Sequence, residues 1–311
     1  MQFQNADILT TKQFDLEGIT KLFSLAKEFE PIAFGEQKSD LAHGKILANL
    51  FYEPSTRTRF SFEVAMKRLG GDVISVTSLD DSSLKKGETL YDTGKVVSQF
   101  SSIIAVRHPQ AGSASQMAEG ATVPVLNCGD GPANHPSQAL LDLYTIYKYT
   151  GDLSGLTICM VGDLKNSRVQ HSQCDLLLNY QNLKFIFVSP ESLKMPTEVT
   201  ESLRAKGFSV EETGDLAAAV GAADVISSSR IQVERFATLE EYRKHTGIFV
   251  IDSPVMAHVK KDAMLLAPLP RIEEIATAVD NDPRAKYFEQ VKNGVPVRMA
   301  LLALVLGLKH M

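Results

Sequence analysis

The sequence predicts an α/β protein made of two doubly wound parallel-sheet domains with a cleft between them. Apolar strand-like segments alternate with helical patterns through both halves of the chain, as in βαβ units. One segment, Leu156–Gly162, is continuously apolar, which indicates a strand covered on both faces. Polar and charged residues follow the predicted strand ends, where open α/β sheets bind their ligands. A chain of 311 residues is long enough for two separate cores.

The first half alternates strands and helices from residue 15 onward. Helices are predicted at Asp15–Glu30, Arg57–Leu69, Glu88–Phe100 and Pro136–Tyr149. Strands are predicted at Lys45–Phe51, Asp72–Thr77, Ser102–Arg107 and Pro124–Cys128. This alternation favours a parallel sheet with helical crossovers.

A second series of strands begins after residue 150. Its members are Leu156–Gly162, Lys184–Val188, Asp224–Ser228, Ile248–Asp252 and Met264–Ala267. We therefore expect a hinge near residues 145–151, with domains at 1–147 and 148–292 and a terminal segment at 293–311. The apolar run Met299–Leu308 is too short to span a bilayer and predicts a buried terminal helix.

The composition is that of an ordinary globular protein, with 44% hydrophobic and 22% charged residues and a net charge of −5. This charge does not favour a nucleic-acid surface. The three cysteines, Cys128, Cys159 and Cys174, form no CxxC pair, which favours reduced thiols and argues against a structural zinc. The first residues lack a basic stretch followed by an apolar core, so we expect no signal peptide and a cytoplasmic protein.

The strongest functional signal is the strand-to-helix turn within Phe51–Phe60. Three hydroxyls and two guanidiniums crowd into it, from Ser55, Thr56, Arg57, Thr58 and Arg59. A helix start offers unpaired N–H groups and the positive end of the helix dipole, both of which suit a phosphate. Arg57 adds a planar fork of donors. An ordinary helix cap needs one hydroxyl and no arginine, so this turn predicts an anion site.

Two more polar groups follow strands in the first half. Arg107 ends one predicted strand, a position at which a surface ion pair is equally plausible. His135 and Gln138 follow a glycine-rich turn, and Pro136 between them suits the first turn of a helix. Because His135 and Gln138 are three residues apart on that helix, they can face the same side.

The second half supplies two arginines at strand ends. Arg168 follows the strand that ends at Gly162, and Arg230-Ile-Gln232 follows the strand Asp224–Ser228. The absence of a GxGxxG motif makes a dinucleotide site a weak hypothesis. Two arginines suit a dicarboxylate, since each can make a paired hydrogen-bond contact with one carboxylate.

These motifs resemble, in their order, those of the carbamoyltransferase family that includes the aspartate and ornithine enzymes. The similar segments are Ser-Thr-Arg-Thr-Arg, Arg-His-Pro-Gln, His-Pro-Ser-Gln, Gly-Asp-Leu-Lys and Arg-Ile-Gln. The resemblance covers nearly the whole chain. It implies a carbamoyl-phosphate-binding domain at 1–147, an aspartate-binding domain at 148–292, and a C-terminal helix at 293–311 that packs back on the first domain.

The resemblance also implies roles for individual residues. Those implied to bind carbamoyl phosphate are Ser55, Thr56, Arg57, Thr58, Arg107, His135, Gln138, Pro268, Leu269 and Pro270. Those implied to be catalytic are Arg57, Thr58, Arg107 and His135. Those implied to bind L-aspartate are Lys86, Arg168, Arg230 and Gln232. In this family Ser82 and Lys86 come from a mobile loop of the neighbouring subunit, which implies a homotrimer with shared active sites. No cofactor and no metal are implied.

The chain departs from the family pattern at two positions. It has Ala267 where the family has the histidine of His-Pro-Leu-Pro-Arg or a cysteine, and Val233 where a lysine follows Arg-Val-Gln. The resemblance still implies carbamoyl transfer to aspartate, a step of pyrimidine biosynthesis, because Arg230 would repel the side-chain ammonium of ornithine. Two alternatives remain: a carbamoyltransferase for ornithine or a related amine, and a catalytically silent homologue that serves as an assembly subunit. The sequence leaves open whether a regulatory chain attaches. A polar loop at 82–88 is also consistent with a simple solvated surface loop.

Overall fold

The computed structural model describes residues 1–309 and divides into two compact units. The first unit comprises Met1–Tyr144 together with the residues from Lys292 onward, and the second comprises Thr145–Val291. Each unit contains its own parallel sheet with flanking helices. The predicted α/β class is therefore confirmed, and the C-terminal helix ends within the first unit.

The first sheet has four parallel strands in the order β2-β1-β3-β4. They are β1 (Ile46–Phe51), β2 (Asp72–Val76), β3 (Ile103–His108) and β4 (Val125–Asp130). The register pairs Phe51 with Arg107. The loops that follow β1 and β3 therefore leave the same edge of the sheet side by side.

Five helices begin in the first unit. They are α1 (Leu16–Ala33), α2 (Thr56–Arg68), α3 (Leu90–Val97), α4 (Ser113–Gly120) and α5 (Pro136–Thr150). α3 is shorter than the sequence predicts. The Ser98 hydroxyl donates to the Gly94 carbonyl at 2.7 Å and accepts from the Thr122 N–H at 2.9 Å. This contact ties the end of α3 to the loop before β4.

The second sheet has five parallel strands in the order β7-β6-β5-β8-β9. They are β5 (Thr157–Gly162), β6 (Lys184–Val188), β7 (Ser209–Thr213), β8 (Val225–Ser229) and β9 (Met264–Leu266). The helices are α6 (Arg168–Leu177), α7 (Thr197–Ala205), α8 (Leu216–Ala222), α9 (Leu239–Arg243), α10 (Ser253–Met256) and α11 (Tyr287–Val305).

One predicted strand is wrong, and one strand escaped prediction. The segment Ile248–Asp252 forms no strand: Ile251 makes an isolated bridge to Ile275, and Ile248 is 49% exposed. The unpredicted strand is β7, an edge strand whose side chains are mostly exposed. Its sequence carries two glutamates, and an exposed edge does not impose the apolar pattern of a buried strand.

The core of the second unit gathers on β5, β8 and β9. Its buried side chains include Val161, Ile226 and Leu265, with Ala267 at the end of β9. In the first unit the last part of α11 is almost entirely buried, as at Met299 and Leu302. Among the helices of residues 1–309, none is both long enough and apolar enough to cross a membrane.

The three cysteines are buried and free of disulfide bonds in the described structure. Burial raises the pKa of the Cys128 and Cys159 thiols to about 12 and raises the pKa of Cys174 as well. These thiols are therefore protonated at neutral pH and chemically inert.

Candidate active site

The start of α2 is built to accept an anion. Ser55 is the N-cap residue, yet its side chain makes no capping hydrogen bond, so the ordinary cap interpretation does not account for its hydroxyl. Thr58 is 4% exposed in the first turn, and that turn contains no acidic residue. Ser55 and Arg57 are half-buried and Thr56 is exposed. Three hydroxyl residues thus lie at the positive end of the helix dipole, and the first turn itself carries no carboxylate.

Arg59 does not join this group. Its guanidinium lies 3.4 Å from the Glu63 carboxylate, one helical turn further on, and 4.6 Å from the centre of the Phe60 ring. Arg59 is therefore engaged further along the helix, and the anion-site prediction keeps Arg57 but not Arg59.

Arg107 lies at the carboxyl end of β3, beside the loop that leads into α2. The backbone N–H of Tyr52 donates to the Arg107 carbonyl at 2.9 Å. The Arg107 guanidinium pairs with Glu53 at 2.8 Å and donates to the Cys128 carbonyl at 3.5 Å. Its side chain is only 12% exposed. The ion pair that the sequence allowed is therefore present, but it is mostly buried rather than on an open surface.

The turn after β4 brings His135 and Gln138 to the same edge. Gly131 has φ +53°, and a Cβ there would lie 2.6 Å from the Pro109 carbonyl oxygen, so only glycine permits this approach of the loops after β3 and β4. His135 is 3% exposed and immediately precedes α5. Gln138 is half-buried and donates through Nε2 to the Asp142 carboxylate at 2.8 Å.

The loop with Ser82 and Lys86 is more anchored than its sequence indicates. The sequence is consistent with a solvated surface loop, but Leu79 and Leu84 are half-buried against the core of the first sheet. The Ser82 hydroxyl donates to the Leu79 carbonyl at 2.8 Å. Lys86 ends a short 3₁₀ turn and is exposed.

In the second unit, Arg168 is placed by a tight turn after β5. Asp163 is fully buried, and its carboxylate accepts from the backbone N–H and the side-chain amide of Asn166, each at 3.0 Å. Ser167 caps α6 through the Gln170 N–H. Arg168 is the first residue of that helix and is half-buried.

Arg230 and Gln232 leave the neighbouring strand β8. The side-chain amide of Gln232 donates to the Asn166 carbonyl at 3.0 Å, which ties the loop after β8 to the turn that carries Arg168. Arg230 lines a pocket of the second unit together with Tyr242, His245 and other residues. The structure therefore brings the two predicted carboxylate-binding segments together at one edge of the second sheet.

The segment Ala267–Arg271 follows β9, next to β8 in the sheet. Ala267 is buried, and its N–H donates to Gln290 at 3.0 Å. Arg271 donates to both carboxylate oxygens of Asp280 and to the Tyr287 hydroxyl. Both ends of the segment that carries Pro268, Leu269 and Pro270 are thus held by polar contacts.

Two acidic residues, Glu53 and Asp142, contact predicted site residues although the sequence did not single them out. Glu53 pairs with Arg107, and Asp142 accepts from Gln138. The signal for Asp142 was its spacing of four from Gln138 on a predicted helix. Residues 1–309 contain no group of three or more histidine, cysteine or acidic side chains that could hold a metal ion.

Comparison with known proteins assigns the family. The model of the carbamoyl-P binding domain of aspartate/ornithine carbamoyltransferases matches residues 6–148, and the model of their Asp/Orn binding domain matches residues 154–305. The chain is 46% identical over 307 residues to the aspartate carbamoyltransferase catalytic subunit of Thermococcus onnurineus, covering 99% of each sequence. It is 45% identical to the chloroplastic aspartate carbamoyltransferase of Arabidopsis thaliana, covering 98% of this chain and 79% of that protein.

Solved structures agree. Aspartate transcarbamoylase of Trypanosoma cruzi, in complex with N-(phosphonacetyl)-L-aspartic acid, superposes with a TM-score of 0.92 at 36% identity, covering 98% of this chain and 97% of the other. The catalytic subunit of the M. jannaschii enzyme gives a TM-score of 0.89 at 43% identity, covering 97% of each chain. The chain therefore belongs to the aspartate/ornithine carbamoyltransferase family.

Proposed function

We propose that the protein transfers the carbamoyl group of carbamoyl phosphate to the amine of L-aspartate, giving N-carbamoyl-L-aspartate and phosphate. The observation that carries this proposal is the α2 start, where the N-cap Ser55 makes no side-chain capping bond and the first helical turn has no acidic residue, with Arg107 ending the neighbouring strand opposite Phe51. The relatives named as aspartate carbamoyltransferases support the choice of reaction. This reaction is a step of pyrimidine biosynthesis.

Carbamoyl phosphate binds the first unit in this proposal. Its phosphate takes hydrogen bonds from Ser55, Thr56, Arg57 and Thr58 at the helix start, where the dipole favours an anion. Arg107 lies next to the phosphate and the carbamoyl oxygen.

The remaining contacts are made to the carbamoyl group. His135 and Gln138 address it from the start of α5. The backbone carbonyls of Pro268 and Leu269, in the segment that ends at Pro270, accept from the carbamoyl NH₂. Because these last contacts use backbone atoms, they do not depend on the side chain at position 267.

L-Aspartate binds the second unit through Arg168, Arg230 and Gln232. The two arginines lie on loops that are joined by the hydrogen bond from Gln232 to the Asn166 carbonyl. Two guanidiniums on adjacent loops suit two carboxylates. An ornithine side chain would instead bring a positive charge to Arg230, so the charge at this position favours aspartate.

The chemistry needs positioning and electrostatics rather than a nucleophilic side chain. The aspartate amine attacks the carbamoyl carbon, and the oxygen of the resulting tetrahedral intermediate faces Thr58, Arg107 and His135. The C–O bond to phosphate then breaks, and the departing phosphate accepts a proton from the amine. Preorganised donors of this kind are each worth about 3–4 kcal/mol when removed.

A homotrimer with shared sites completes the proposal. Seven large apolar side chains of the first unit are at least 39% exposed: Leu16, Phe60, Val64, Ile74, Tyr91, Val96 and Phe100. Exposed apolar side chains that lie together favour a protein interface. Ser82 and Lys86 would then reach the neighbouring subunit's site. Three free, buried thiols support a cytoplasmic enzyme.

A direct assay tests the proposal. The purified protein is incubated with carbamoyl phosphate and either L-aspartate or L-ornithine, and the carbamoylated product is measured. We expect turnover with aspartate alone. Turnover with ornithine alone would overturn the substrate assignment. Tight binding of a bisubstrate analogue without turnover would identify a catalytically silent homologue, the alternative motivated by Ala267 and Val233.

A further inference from the structure

The side-chain amide of Gln138 donates a hydrogen bond to the carboxylate of Asp142. Gln138 Nε2 lies 2.8 Å from Asp142 Oδ1, one helical turn further along α5. Gln138 is half-buried, whereas Asp142 is fully buried. An ionised carboxylate can only accept hydrogen bonds, so it must face the NH₂ of the amide. The amide oxygen of Gln138 then points the other way.

A buried arginine on α11 interacts electrostatically with Asp142. Arg298 is 2% exposed, and its guanidinium lies 5.1 Å from the centre of the Phe62 ring on α2. Within residues 1–309 its Nε and Nη2 atoms have no hydrogen-bond partner, and Nη1 lies 3.4 Å from the Gly294 carbonyl. Burial lowers the pKa of Arg298 to about 10, and the charge of Asp142 opposes this shift. A buried carboxylate is costly unless a positive charge is nearby.

Gly294 makes room for this arrangement. A Cβ at residue 294 would lie 2.5 Å from Arg298 Nη1 and 3.3 Å from Leu141 Cδ2. Leu141 precedes Asp142 on α5, so the guanidinium lies close to the point where Gly294 of α11 approaches α5. The Arg298 guanidinium can occupy this position only because residue 294 has no side chain.

We propose that Asp142, supported by the buried guanidinium of Arg298, orients the Gln138 amide so that its oxygen faces the carbamoyl NH₂. Asp142 and Arg298 are positioning residues, since they act through Gln138. The inference rests on the proposed function, in which Gln138 contacts the carbamoyl group. If Asp142 were neutral and donated a proton to Gln138, the amide would turn and present its NH₂ to the carbamoyl NH₂, placing two donors face to face.

The test is a double-mutant cycle on kcat/KM for carbamoyl phosphate. Asp142→Asn offers Gln138 both a donor and an acceptor, so the amide loses its preferred orientation. We expect roughly a tenfold loss in the wild-type background, within the range measured for contacting residues. In the Gln138→Ala background the same change is expected to have less than a twofold effect, because no amide remains to be oriented.

The arginine has its own pair of variants. Arg298→Gln removes the charge and should reproduce the Asp142→Asn pattern in both backgrounds. If that protein does not fold, Gly294→Ala displaces the guanidinium while adding a better helix former, and should again lose activity only when Gln138 is present. Melting temperatures verify folding. Equal losses with and without Gln138 would overturn the proposal and indicate a structural role. A Gln138→Ala protein with normal kinetics would instead remove Gln138 from the site, which is a failure of the proposed function.

Discussion

Gly162 approaches Ser229 so closely that a Cβ atom on Gly162 would lie 1.9 Å from the Ser229 carbonyl oxygen. The two residues are paired at the carboxyl ends of β5 and β8. Arg230 is the next residue on one strand, and the turn to Arg168 begins directly after the other. The contact therefore sets the separation of the two loops that we propose to bind aspartate.

Replacing Gly162 should be costly for the fold. Gly162→Ala adds a steric clash to a residue with φ +112°, and we expect it to lower the free energy of unfolding by more than about 2 kcal/mol. Urea denaturation measures the effect. The control is Gly155→Ala, which has φ +78° but no atom within 4 Å of the added Cβ. Its cost should be confined to backbone strain, so equal losses for the two variants would show that the clash does not matter.

The central strands of the sheets were predictable because a strand that is buried on both faces has a continuous apolar sequence. β5 and β6 lie within a residue of their predicted bounds. β7 was missed because its exposed edge position imposes no such pattern. Ile248–Asp252 has the composition of a strand but pairs only at Ile251, since a β-rich composition specifies neither a neighbour nor a register.

The candidate site was predictable where the chemistry depends on local sequence. The α2 turn and the two arginines after β5 and β8 follow strand ends that the sequence already marks. The contacts between distant segments were not predictable. Nothing near Arg298 in the sequence indicates Phe62, and nothing near Glu53 indicates its pairing with Arg107, because such partners are set by packing.

Arg57 should be essential to turnover but not to the fold. Arg57→Ala removes a guanidinium at the helix start, and we expect kcat/KM to fall by about 100-fold or more, as for other lost transition-state donors. Arg59→Ala is the matched control, since Arg59 pairs with Glu63 on the same helix. That variant should keep near-normal kinetics. Steady-state assays measure kcat/KM, and circular dichroism verifies the fold. Normal turnover by Arg57→Ala would contradict the assignment of Arg57 to the anion site.

Arg230 should select the second substrate. Arg230→Ala is expected to raise the aspartate KM and lower kcat, because orientation of the amine depends on the carboxylate contact. Calorimetry should show carbamoyl phosphate binding unchanged. Arg243→Ala, an exposed arginine on α9, serves as the control for net charge. Loss of carbamoyl phosphate binding with an unaltered aspartate KM would contradict the assignment of Arg230 to aspartate binding.

The Arg271–Asp280 pair should make stability depend on pH in acid. Hydrogen bonds from Arg271 and Tyr287 lower the pKa of Asp280 to about 2, against about 3.9 in an unfolded chain. The stabilising contribution is therefore complete above about pH 4 and is lost as the pH falls towards about 2. Because Asp280 is 30% exposed, it amounts to less than about 1 kcal/mol. Urea unfolding across this range should show the stability gap between wild type and Asp280→Asn shrinking as the pH falls, and a constant gap would contradict the pairing.

Lys86 should serve the active site of a neighbouring subunit. It is exposed at the end of its 3₁₀ turn and makes no ion pair within residues 1–309, whereas Lys85 pairs with Asp80 at 2.8 Å. A lysine without such a contact can complete an anionic site when a ligand arrives. Lys86→Ala is therefore expected to lose most activity, while Lys85→Ala, the matched control, should keep it.

Mixing two inactive proteins distinguishes a shared site from a private one. Lys86→Ala chains and Arg57→Ala chains are dissociated, combined and reassembled, and the mixed trimers are verified by mass. If Lys86 acts across the subunit boundary, some interfaces pair an intact Arg57 with an intact Lys86 from the next chain, and activity returns. If Lys86 serves its own chain, every site in the mixture lacks one of the two residues. Verified mixed trimers without activity would therefore reject the shared site, even if Lys86 itself proved necessary.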